Sequence, residues 1–230
     1  MPAAGPPGRP WGWHRLADEW AGRVVADAGV RPGDLVLDIG AGEGALTAHL
    51  IRAGARVIAV ELHPARVARL RDRFAGLPAT QAAGLPATQA AGLPATQAAG
   101  LTGPNAGLTG PNAGLAGPNA GLAGPNAGLT VVHADAATLR RPRRPFRVVA
   151  SPPYGISASL LSLLLAPGSR LIAADLVLQR AVVRKYARGD APGARRWART
   201  FTAQAGPALP RRAFRPAPHV DSAVLIIRRR

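Results

Sequence analysis

The sequence predicts an α/β protein: a doubly wound parallel sheet with helices on both faces and a late antiparallel hairpin. Three observations carry this. Short apolar runs at 35–39, 56–60, 129–133, 146–150 and 171–178 alternate with helical patterns, as strands buried on both faces do. A glycine-rich turn, Gly40 to Gly44, links the first run to a helix. Of the 230 residues, 52 (76–127) are tandem repeats, and the remaining 178 suit one domain with its own core. The repeats are three octads Gly-Leu-Pro-Ala-Thr-Gln-Ala-Ala and four heptads Gly-Leu-(Thr/Ala)-Gly-Pro-Asn-Ala.

In chain order, residues 1–10 are a Pro/Gly-rich, flexible lead to a single domain, 11–230. Residues 11–29 read as a helix, with Leu16, Trp20 and Val24 spaced by four on one face. Strand 35–39 follows the Pro32-Gly33-Asp34 turn, and helix 45–53 stops at Gly54. Glu61 closes strand 56–60, and helix 64–74 opens on Pro64, which suits a first turn. Strands 129–133 and 146–150, helix 156–165, strand 171–178 and helix 179–187 follow. Runs 201–206 and 223–227 read as the hairpin. In such a sheet the ligand site lies at the carboxyl ends of the strands. The repeats join a helix to a strand, so they should sit at the opposite edge. They carry no charge and little apolar bulk, too little to offset the entropy of ordering.

With no cysteine there is no disulfide, no thiolate-held metal and no cysteine nucleophile. The start lacks a secretory apolar core, and run 156–169 is too short to cross a bilayer, so a cytoplasmic protein without membrane contact is expected. Charge is uneven. Residues 1–134 hold 10 basic and 8 acidic groups, residues 135–230 hold 19 and 4, and this asymmetry points to nucleic acid. No protein partner is indicated, and a monomer is expected.

Asp38-Ile39-Gly40-Ala41-Gly42-Glu43-Gly44 lies between a strand and a helix, where glycines let a ligand approach the backbone. The pattern also fits a dinucleotide site, but Asp38 would repel a pyrophosphate and suits an ammonium group. Glu61 could accept both ribose hydroxyls. Asp135 could accept from an adenine amino group or cap the turn after it. Ser151-Pro152-Pro153-Tyr154 ends the fourth strand, beside the glycine turn if strands one and four are neighbours. Ser151 Oγ and the Pro152 carbonyl could draw a planar exocyclic amine toward tetrahedral geometry, with Tyr154 stacked on the extruded base. That chemistry requires no metal.

Taken in order, these residues resemble the erythromycin-resistance type of ribosomal RNA adenine N6-methyltransferases of actinobacteria. The stretches are 36–50, 57–74, 131–139, 146–165 and the element Phe214-Arg215-Pro216-Ala217-Pro218-His219-Val220-Asp221-Ser222. The resemblance implies a Rossmann-like S-adenosylmethionine-dependent methyltransferase fold, 23S ribosomal RNA as partner, and resistance to macrolide, lincosamide and streptogramin B antibiotics. By it, Gly40 and Gly42 line the methionine end of S-adenosylmethionine, Glu61 its ribose and Asp135 its adenine. Ser151, Pro152 and Tyr154 hold the target base, with Phe214 packed near it. The sequence departs from the family at Ser151, where Asn is usual, and at Trp11-Gly12-Trp13-His14, where Gln-Asn-Phe-Leu is usual. The family's short connection is replaced by the repeats, and its helical C-terminal domain has no counterpart. RNA docking is then expected of the arginine clusters: Arg140, Arg141 and Arg144; Arg184, Lys185 and Arg188 on one helix; Arg211 and Arg212 beside Phe214. Two alternatives stay open: a non-catalytic RNA-binding protein that keeps the fold, and an N6-adenine or amide methyltransferase with another substrate.

Overall fold

The computed structural model describes residues 14–77 and 128–230. The lead, Trp11 and Trp13, and the repeats from residue 78 onward lie outside the described residues.

Among the described residues nine strands form in chain order: β1 (Arg15–Leu16), β2 (Leu35–Ile39), β3 (Arg56–Glu61), β4 (Gly128–His133), β5 (Phe146–Ala150), β6 (Leu171–Gln179), β7 (Phe201–Leu209), β8 (Phe214–Arg215) and β9 (Ser222–Arg229). Seven build one sheet in the order β4-β3-β2-β5-β6-β9-β7. The first five are parallel, and β9 and β7 join antiparallel. The expected alternation and hairpin are both present. β2 pairs directly with β5, which makes the point between them the switch where the chain winds outward in both directions.

Alternate residues of the central strands serve opposite faces. Leu37, Ile39, Val148 and Leu176 pack on one side beneath the Ser157–Leu165 and Arg180–Ala187 helices. Val36, Val149 and Val177 pack on the other beneath the Asp18–Ala28 and Ala45–Arg52 helices. A strand buried on both faces can be apolar throughout, which is why these runs carry little alternation.

The first helix differs from expectation. It begins at Asp18, where Asp18 and Glu19 give its first turn the negative charge that the helix dipole favours. Leu16 sits before it in β1, paired across from Phe214 of β8, and the Ala17 N–H donates to the Ala213 carbonyl at 2.8 Å. This two-strand clasp ties the chain entrance to the segment before β9. A short Ala194–Trp197 helix, absent from the sequence reading, precedes β7.

Leu77 lies in the first repeat, and Gly128 stands just after the last. Gly128 pairs with Arg56, the first residue of β3, so the chain rejoins the fold at the amino edge of the sheet.

Phe214 is only 3% exposed and packs with Leu16, Val24 and Val224. Its ring belongs to the core, because the β1–β8 pairing turns it inward. Phe214→Ala should therefore cost about 3 kcal/mol of stability in a denaturant titration, the usual penalty for emptying a buried aromatic site.

Candidate active site

The site forms where the carboxyl ends of β2, β3 and β5 meet. Gly40 and Ala41 follow β2 and donate their N–H groups to the Val60 carbonyl of β3 at 2.8 and 3.1 Å. Gly40, Gly42 and Gly44 all have positive φ, at 75°, 59° and 83°. At Gly40 space is also decisive. A Cβ there would lie 3.0 Å from Pro153 Cδ and 3.2 Å from the Pro152 Cα. The glycine turn and the Ser151–Tyr154 segment thus meet backbone to backbone, as the pairing of β2 with β5 requires.

Asp38 is 1% exposed. Its Oδ2 accepts from Thr47 Oγ1 at 2.7 Å, and its Oδ1 has no hydrogen-bond partner. Burial pushes its carboxyl up to about 7; the Thr47 hydrogen bond opposes this and the Glu61 charge adds to it. A carboxylate buried with one bare oxygen is costly, and a cationic ligand would offset that cost. The cleft beside it is lined by His14, Gly40, Gly42, Leu46 and Ser151. These residues fit the amino-acid end of S-adenosylmethionine: small backbone-exposing glycines, and an acceptor for an ammonium group.

Glu61 is also buried. Its Oε2 accepts from the Gly42 N–H at 2.9 Å, and its Oε1 from the Leu62 and His63 N–H groups at 3.1 and 2.9 Å. A carboxylate offers about four acceptor positions, so about one remains. One ribose hydroxyl can be taken directly; a second requires a backbone N–H to give way. Asp135 is exposed after β4, and its Oδ1 accepts from the Ala137 N–H at 2.8 Å. The turn-capping reading is therefore realised, and an adenine contact would be additional to it.

Pro152 is buried, while Ser151 and Tyr154 are half-buried. The Tyr154 hydroxyl and Ser222 Oγ are 2.6 Å apart, and its ring lies 5.9 Å from that of His14 at 33°. Burial raises the Tyr154 pKa, with the Ser222 bond acting against it, so the phenol stays neutral. The sequence assigned no role to Thr47, Ser222 or His14, since nothing local marks their partners, which lie 9, 68 and 140 positions away.

The cationic groups divide. Arg211, Arg212 and Arg215 are exposed near Ser222, and Arg211 pairs with Asp221 at 3.3 Å. Arg184, Lys185 and Arg188 form the exposed side of their helix, with Val183 and Tyr186 buried beneath. The 140–144 cluster sits elsewhere. Arg141 donates to the Ala166 carbonyl at 3.2 Å, and Arg144 lies against Arg56 at the start of β3. Both belong to the amino edge, away from the Gly40 turn. Among the described residues there is no His/Cys/Asp/Glu group that could hold a metal, and no helix is long and apolar enough to cross a membrane.

Residues 37–93 match a family model described as a methyltransferase domain. The chain is 29% identical over 224 residues to an rRNA adenine N-6-methyltransferase of Aeromicrobium erythreum, covering 95% of this chain and 51% of that protein. It is 32% identical over 208 residues to the ribosomal RNA small subunit methyltransferase A of Leifsonia xyli subsp. xyli, covering 87% and 58%. The crystal structure of the 23S rRNA methyltransferase ErmE superposes with a TM-score of 0.62 at 27% identity, covering 94% of this chain and 69% of that one. Over most of its length the chain is similar to ribosomal RNA adenine methyltransferases, and it carries a methyltransferase domain. It spans about half the length of the curated relatives it matches. The Rossmann-like methyltransferase fold expected from the sequence is the one observed.

Asp38 supplies a measurable signature. Its folded pKa lies above the unfolded value of 3.8, so between about pH 4 and 7 the folded state holds a proton that the unfolded chain has lost. Its contribution should therefore weaken the ligand-free protein as pH rises through that window and level off above it. Asp38→Asn should flatten this slope, read by denaturant unfolding at each pH.

Proposed function

We propose that this protein transfers a methyl group from S-adenosylmethionine to N6 of an adenine in 23S ribosomal RNA, and that the modification confers macrolide, lincosamide and streptogramin B resistance. The observation that carries the reading is the contact between the Gly40 turn, with Asp38 Oδ1 bare beside it, and the Ser151–Tyr154 segment. A cofactor cradle and an amine-holding segment thereby share one crevice.

In this reading Asp38 holds the ammonium group, Gly40 and Gly42 line the methionine end, Glu61 takes a ribose hydroxyl and Asp135 meets the adenine ring. When bound, the cofactor supplies a sulfonium methyl whose C–S bond breaks as the N–C bond forms, while a proton leaves N6 to water. The protein's part is alignment. Ser151 Oγ and the Pro152 carbonyl accept from the N6 hydrogens and turn the lone pair toward the methyl, and proximity supplies much of the rate. Tyr154 stacks on the extruded base, its ring held by Ser222. Ser151 has a shorter reach than the family's usual Asn, so its hydrogen bond depends on the base seating deeply. Arg211, Arg212, Arg184, Lys185 and Arg188 neutralise RNA phosphates.

A second reading keeps the chemistry and changes the RNA: the similarity to a small-subunit enzyme favours an adenine of small-subunit rRNA. One experiment separates the two. Purified protein is incubated with labelled S-adenosylmethionine and each protein-free rRNA, and the label is mapped by primer extension. Label at one adenine of the 23S peptidyl-transferase region is expected. Tyr154→Ala should lower transfer at least 100-fold, whereas Tyr154→Phe, which keeps the ring, should lose less than tenfold. Label on the small-subunit RNA alone would favour the second reading, and no label on either would sink both.

A further inference from the structure

One cationic groove lies outside the crevice. It begins beside Ala158, four residues after Tyr154, and follows the Ser157–Leu165 helix toward the amino edge. Nine helical residues span about 13 Å at the usual 1.5 Å rise. Its first lobe is a cavity of about 410 Å³ floored by Leu161, Leu165, Tyr186 and Trp197, with Lys185 and Arg196 at its rim. The Tyr186 and Trp197 rings stack, with centroids 5.9 Å apart and planes 21° apart. A second lobe of about 770 Å³ shares Leu165, Ala166, Arg196 and Trp197 with the first. It adds Arg170 and Arg199, and an Ile172 that is 42% exposed.

The charge balance indicates the occupant. No carboxylate lines either lobe. Lys185, Arg170, Arg196 and Arg199 make no ion pair or side-chain hydrogen bond among the described residues. Other arginines differ: Arg15 and Arg69 reach Glu43, Arg23 reaches Glu19, and Arg147 reaches Asp34. Even Arg229, at the end of the second lobe, is used internally, on the Leu171 carbonyl and the face of Phe201. Free cations along an aromatic and aliphatic floor match a polyanion that also carries flat apolar groups. Single-stranded nucleic acid has that chemistry, with phosphates for the cations and base faces for the floor. A negatively charged protein surface would match the rim but leave the concave floor without a comparable insert.

We propose that this groove receives the single-stranded RNA flanking the target nucleotide, one unstacked base seated in the first lobe and its phosphates on Lys185, Arg196 and Arg199. The proposal rests on RNA being the substrate, and it adds a second nucleotide site to the crevice. Its position along the helix that starts just past Tyr154 makes it a path for the strand leaving the target base. Recognition there would be tolerant of sequence, because every base has a stacking face.

The test uses a fluorescein-labelled single-stranded RNA of about ten nucleotides, read by anisotropy over a salt series. Two variants divide the roles. Arg196→Ala/Arg199→Ala removes two phosphate contacts, so the slope of log affinity against log salt should fall by about 1.4. Ser162→Trp, at an exposed helical position lining the first lobe, keeps the charge but fills the cavity. It should weaken binding at least fivefold with an unchanged slope. Circular dichroism and S-adenosylmethionine affinity should match wild type in both. Wild-type binding in both variants, or no binding by the wild type, would overturn the groove. A dimer by light scattering that Ser162→Trp dissolves would also overturn it, since the floor would then be a protein contact. Wild-type protein that binds the oligonucleotide yet methylates no rRNA would sink the methyltransferase reading and leave the groove standing.

Discussion

Two backbone segments approach at Gly40 so closely that a side chain there would force the prolines to shift, and the functional architecture is arranged around that approach. The parallel pairing of β2 with β5 sets the two strand ends side by side. Pro152 and Pro153 then fill the space a Cβ at position 40 would occupy. The same positive φ that admits only glycine there turns the chain back so that Gly40 and Ala41 reach Val60. From this follow the placement of Asp38 below the turn, of Glu61 on its flank, and of Tyr154 just beyond the prolines. The β1–β8 clasp closes the arrangement by bringing His14 to the tyrosine ring.

The electrostatics fall into two regimes. Inside, two carboxylates are buried close together. Glu61 is held by three backbone N–H donors, and Asp38 by a single hydroxyl. The difference explains why burial raises Asp38 so far and makes it the oxygen most in need of a cation. Outside, several cations of the first half face acids, as Arg15 and Arg69 face Glu43 and Arg23 faces Glu19, while those lining the groove face none. The surplus in the second half is thus not a uniform coat. Part is structural, as with Arg141 on a helix-end carbonyl and Arg228 on buried Asp175 at 2.8 Å. Another part, Lys185, Arg170, Arg196 and Arg199, lines the groove beside Trp197.

Most of the sheet was legible because its strands are buried on both faces, and short apolar runs bounded by glycine or proline have few other folded states. The site motifs were legible for a related reason: glycines in a strand-to-helix turn and paired prolines after a strand each restrict the backbone in recognisable ways. Leu16 was misread because its spacing to Trp20 and Val24 is helical, yet its partner is Phe214, nearly 200 positions away. The acidic pair Asp18–Glu19 was the local mark of the true helix start. The burial of Phe214 has the same origin, since only the clasp turns its ring inward.

The sequence by itself determined the strand and helix segments, the glycine turn, the Asp38 and Glu61 positions and the cationic bias, because each depends on local pattern or composition. Tertiary structure alone decided which of these meet. It left Asp38 with one bare oxygen, committed most of Glu61 to backbone N–H groups, sent the 140–144 arginines to the far edge and opened a groove beside Trp197. Those outcomes depend on strand order and on contacts between residues far apart in the chain, and local pattern carries no record of either.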